Sequence, residues 1–134
     1  MMAIDINWLG VIVVAVIYCF IIFFWYYPNI FGNTWLKLVG KEGVEKSKII
    51  RETIIMIFTS FVSVLILEIL MDLTGMNDIP SALLLSLLIW IAFIAMVAVN
   101  QNIFNDRGVK LFLIEYGAYL VALLVAGVIL AVWQ

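Results

Sequence analysis

Polar residues in this chain gather into short connecting stretches, and the runs between them are apolar on every face. Four such runs stand out, at residues 8–27, 53–70, 81–99 and 111–133. A helical span needs about 20 mostly apolar residues to cross the hydrocarbon core. A transmembrane β-barrel would instead show segments of about ten residues that alternate apolar and polar. The pattern therefore predicts an all-α polytopic membrane protein. Four transmembrane helices form one bundle and a single domain over residues 1–134, with connecting loops at 28–52 and 100–110.

Composition agrees: 67% of residues are hydrophobic and 12% charged, far from the roughly half apolar and quarter charged of soluble domains. The first run follows no basic segment and offers no small-residue cleavage site, so it is read as a retained span. Charge placement then sets orientation, because short loops rich in lysine and arginine stay cytoplasmic. The first loop carries Lys37, Lys41, Lys46, Lys48 and Arg51, and the third carries Arg107 and Lys110; the remaining connections carry no basic residue. The expectation is a protein of the prokaryotic plasma (inner) membrane, termini outside and both basic loops cytoplasmic, with Asp5, Asp72 and Asp78 on the outer side. A net charge of −2 implies no nucleic acid; the lipid bilayer is the first partner expected.

The junction FFWYYPNIFGNTWLK, residues 23–37, ends the first run. Tryptophan and tyrosine collect at headgroup level, where an apolar ring can keep a polar N–H or O–H near water. Trp25, Tyr26, Tyr27 and Trp35 are accordingly expected to be an interfacial anchor. Pro28 biases the chain out of the helix and Gly32 permits a tight turn. A short stretch between Trp35 and Gly43 is expected along the interface, and a capped helix is expected to restart near Val44 and run to Met71, with its basic first turns beyond the hydrocarbon.

An ionisable residue inside a span is a site hypothesis by default, and the spans hold Glu68 and Glu115. Glu68, one turn from the predicted outer end of its span, reads as part of a solvated rim. At about 100° per residue, Tyr119, Ala118, Ala122 and Ala126 fall near Glu115 on the wheel. Small residues at every fourth position allow another helix to approach, so Glu115 is expected to point into the bundle or an oligomer interface, with Arg107 or Lys110 neutralising it. Asn100, Asn102, Arg107, Glu115 and Tyr119 make the candidate polar pocket; a hydrogen-bonded cap closing the loop is the alternative. With no histidine and Cys19 alone, no transition-metal site or cofactor is expected. Ser60 and Ser63 have no partner to take their protons, so no enzyme is expected.

Two stretches hint at duplication: NIFGNTWLKL at 29–38 and NIFNDRGVKL at 102–111 share N-I-F and K-L at one spacing, and Phe20-Ile21 match Phe93-Ile94. A parallel repeat of two helical hairpins would place the first pair of spans on the second. A wider set of residues also matters: Asn7-Trp8-Leu9, Trp25-Tyr26, Pro28, Phe31-Gly32 and Trp35 around the first span, and Asn100, Phe104, Arg107, Leu111, Ile114 and Gly117 around the last loop. Together these resemble a family of small bacterial and archaeal four-span proteins, domain of unknown function 1761. The departures are Ile22, where the family usually has glycine, and Ala118, where it has tyrosine. The resemblance implies fold and topology and carries no activity. Two functions stay open: a transporter or channel-like homo-oligomer, or a non-catalytic scaffold or accessory subunit that holds a partner protein or anionic lipid through its basic loop.

Overall fold

The computed structural model describes residues 6–39 and 46–133, and within these the chain forms only helices and turns. Helix α1, Trp8–Trp25, starts at Asn7, whose side chain accepts a hydrogen bond from the Gly10 amide at 3.1 Å. It stops where Pro28 approaches. A π-helical turn, Pro28–Gly32, follows, with the Ile30 and Gly32 amides both donating to the Tyr27 carbonyl at 2.9 and 3.0 Å. A Cβ at Gly32 would overlap the Tyr26 carbonyl oxygen, so this tight return requires glycine. Helix α2, Asn33–Val39, overlaps the stretch expected between Trp35 and Gly43, whose last four residues lie outside the described residues.

Helix α3, Lys46–Thr74, has 29 residues, about 43 Å at 1.5 Å per residue, against a hydrocarbon core of about 30 Å. Its expected restart at Val44, together with Gly43, Lys41 and Asp5, lies outside the described residues. Helix α4, Ile79–Ile89, is capped by Asp78, which accepts from the Ser81 amide at 3.1 Å. Hydrogen bonds from Ser81 hold the Asp78 carboxyl below its ordinary pKa. A π segment, Trp90–Ala95, joins α4 to α5, Met96–Phe104, in one continuous rod. Helix α6 is Val109–Trp133.

Four helices are thus long and apolar enough to cross a membrane: Trp8–Trp25, Ile50–Thr74, Ile79–Phe104 and Val109–Trp133. This is a membrane-embedded helical protein. The second and third extend past the hydropathy limits because Asp72, Asn100 and Asn102 continue the helix instead of ending it.

Helix α6 is the centre of the bundle. It packs extensively on α1 and on α4, while α3 packs chiefly on α1. Ala118, Ala122 and Ala126 are all buried, as is the facing pair Ala82 and Ser86 on α4. A Cβ added at Gly127 would come within 2.6 Å of Ser86 Oγ and 3.2 Å of the Ala82 carbonyl oxygen, so the two backbones meet where both helices have small residues. The π segment keeps α5 on the same side: the Met96 amide bonds the Ile91 carbonyl five residues back, which absorbs one extra residue and leaves Ala95, Ala98 and Asn102 buried.

One sequence expectation is corrected here. Glu68 is not on a solvated rim; it is 1% exposed and shares the buried face of α3 with Ser60, Val64, Leu67 and Met71. The helix runs one turn further than expected, to Thr74, which sets Glu68 deeper. The two N-I-F stretches also differ: the first lies in the π turn after α1, and the second is the end of α5. The contacts within the two hairpins, α1–α3 and α4–α6, are equally broad, whereas between the hairpins α1–α6 is broad and α3–α4 slight.

Candidate functional site

The second turn of α6 is where the chain concentrates its polar contacts. Arg107, in the turn before α6, reaches Glu115 with both terminal guanidinium nitrogens: Nη1 lies 2.6 Å from Oε1 and Nη2 donates to Oε2 at 3.0 Å. The side chains are 29% and 17% exposed respectively, so the pair is half-sheltered. Two-point guanidinium–carboxylate contact fixes orientation as well as charge. The hydrogen bond to Glu115 raises Arg107 above its ordinary pKa, keeping it a cation.

Three indoles hydrogen-bond to this turn of α6. Trp35 on α2 donates its Nε1–H to Glu115 Oε2 at 3.0 Å. Trp25, at the end of α1, donates to the Ile114 carbonyl at 2.8 Å, and Trp90, from the π segment, donates to the Tyr116 carbonyl at 2.8 Å. A buried indole N–H needs an acceptor, and each of these finds one on successive residues of α6. Ring contacts complete the assembly: Trp25 lies 4.7 Å from Phe31 and Tyr26 lies 5.4 Å, edge-on, from Trp35.

The residues expected as an interfacial anchor therefore divide. Trp25 and Trp35 direct their N–H groups to α6, Tyr26 supports Trp35, and Tyr27 is exposed. Aromatic clustering near a helix end reads the same in sequence whether the rings face headgroups or the protein. Trp90 was not singled out from sequence, although a polar N–H within an apolar span must be satisfied internally, which is the signal that could have found it.

The five candidate pocket residues do not line one pocket. Arg107 and Glu115 share a cleft of about 450 Å³ with Trp35, Leu38, Asn105 and Asp106. Asn102 lies on another side, where its Nδ2–H donates to the Gly108 carbonyl at 3.1 Å and its backbone carbonyl accepts from the Arg107 amide at 3.1 Å. It closes the turn that presents Arg107. Asn100 is exposed on α5, and neither it nor Tyr119 borders the Glu115 cleft. The sequence wheel could place Tyr119 near Glu115 on α6, but it carried no position for α2, which supplies the opposite wall.

Chemically, the cleft offers a fixed cation–carboxylate pair that accepts from an indole N–H, lined also by the polar Asn105 and Asp106 and by Leu38, Val39 and Leu111. Among the described residues no cluster of three metal-ligating groups forms. Comparison with known proteins gives one finding: the model of a family described as "Protein of unknown function (DUF1761)" matches residues 9–131. No curated protein and no solved structure matches the chain.

Proposed function

The chain belongs to the DUF1761 family, which brings no activity with it, and from the geometry we propose that it is a non-catalytic membrane scaffold or accessory subunit holding a partner protein at its basic end. That end is assigned to the cytoplasmic side by the positive-inside rule. The observation that carries the reading is the reach of α3. Its 29 residues, about 43 Å, bring its first turns to the limit of a bilayer that is about 40–45 Å thick with headgroups. Those turns contain Lys46, Lys48 and Arg51 in sequence, and Arg51 is exposed. The Trp35–Arg107–Glu115 cleft opens at the same end, since α2 connects α1 to α3 there. The partner surface this fits is acidic.

The test is a photo-crosslinking residue at position 51 in native membranes. A discrete protein adduct is expected, and reversing the charges at Lys46, Lys48 and Arg51 should reduce it at least tenfold. Adducts to lipid alone, or an adduct unaffected by reversal, would end this reading.

A second reading, transport by a homo-oligomer, is favoured by Glu68. An ionisable group buried in a span marks pathways in many membrane proteins, and this one is 1% exposed. Proton or cation flux into liposomes that falls to the level of empty vesicles in Glu68→Gln would support it. Flux indistinguishable from empty vesicles in the unaltered protein would remove it.

A further inference from the structure

A separate groove of about 550 Å³ lies beside the Glu115 cleft, between α6 and the segment that returns from α1. Its floor is a single stripe of α6, from Lys110 through Leu113 and Gly117 to Val121, and its other wall includes Trp25 and Thr34. Gly117 is what makes the floor deep. A Cβ there would stand 3.5 Å from the Trp25 ring, an ordinary contact, so alanine fits and a longer side chain would fill the space.

We propose that this groove binds one anionic phospholipid, its acyl chain along the Leu113–Gly117–Val121 stripe and its phosphate at Lys110. The dimensions favour an acyl chain. Lys110 and Val121 are eleven helical steps apart, about 16 Å at 1.5 Å per residue, and one leaflet of the hydrocarbon core is about 15 Å deep. The groove ends at Val121, midway along α6, whereas a partner helix or a second copy would call for a groove along the whole span.

The charge favours an anion. Lys110 is exposed and makes no ion pair among the described residues, in contrast to Arg107, which is committed to Glu115. It stands in the first turn of α6, where the positive end of the helix dipole adds to its field. Thr34 lines the same groove. The wall is otherwise apolar, so an anion without an acyl chain would gain little from it. The site uses none of Lys46, Lys48 or Arg51 and does not depend on the function proposed above.

The experiment is native mass spectrometry of the full-length protein released from nanodiscs of equimolar phosphatidylglycerol and phosphatidylcholine. The expected result is one retained phospholipid per chain, with phosphatidylglycerol preferred about fivefold, the order expected for one lysine at an anionic surface. Lys110→Glu should abolish the preference. Lys37→Glu, a basic residue of α2 that does not line the groove, should leave it intact. Gly117→Leu should remove the retained lipid of either kind.

Equal retention of the two lipids would overturn the proposal, as would a preference unchanged in Lys110→Glu. Loss of the preference in Lys37→Glu as much as in Lys110→Glu would also overturn it, because the effect would then be diffuse surface charge. A lipid-free dimer would show that a second copy covers the face instead. Lys110→Glu alters an exposed side chain, so the central comparison survives even if Gly117→Leu fails to fold.

Discussion

Arg107→Ala is expected to lower the unfolding free energy of the protein in detergent micelles by about 2–3 kcal/mol, somewhat below the cost of stranding one partner of a fully buried ion pair. The discount follows from the exposure of the two side chains, 29% and 17%. The larger penalty falls on the arginine variant because Glu115 would be left without its cation between α2 and α6, with the Trp35 N–H as its remaining donor among the described residues. Glu115→Gln should cost less, about 1 kcal/mol. Its amide oxygen can still accept from Trp35, and Arg107 can turn toward water. Combining the two substitutions should cost little more than Glu115→Gln alone, because the stranded charge is gone. Denaturant titration of the four proteins yields the coupling directly. Costs that simply add would mean that solvent screens the pair and that the three indoles alone hold the second turn of α6.

The same pair illustrates what hydropathy can and cannot reveal. Glu115 and Arg107 were legible because charge is rare in this chain and the two lie at one membrane level, eight residues apart. The four spans were legible for the same reason, since long apolar runs have few alternatives in a membrane. Helix faces were harder. An amphipathic helix declares its buried side by the period of its polar residues, but these helices are apolar all round, and only their small residues distinguish one face from another. That signal sufficed for Ala118, Ala122 and Ala126. It gave no warning that Glu68 faces inward, because the sequence alone placed the end of α3 one turn too early and so set the residue at the rim. The two N-I-F stretches differ in structure for a local reason: Pro28 precedes the first and ends α1, while no proline precedes the second and α5 continues through Phe104. Identical side chains were thus placed on different backbones.

The close approach of α4 and α6 gives the other large expected effect. Gly127→Leu should separate α4 from α6 and either prevent assembly or lower the melting temperature in detergent by well over ten degrees, the scale of several kcal/mol in a chain of this size. The smaller substitution is more informative. In Gly127→Ala the new methyl would meet Ser86 Oγ at 2.6 Å and the Ala82 carbonyl at 3.2 Å, and the serine is fully buried, so the strain is expected to reach about 1–3 kcal/mol. Ser86→Ala removes the nearer of these atoms. It should be well tolerated alone, and in combination it should recover more than half of the loss, leaving the Ala82 backbone contact as the residue of strain. Recovery of that kind in thermal unfolding would establish that α6 is seated on α4 by small residues at the Ser86–Gly127 crossing. Equal losses in the single and double variants would mean instead that Gly127 is needed by the backbone of α6 itself, and the packing account of this crossing would have to be withdrawn.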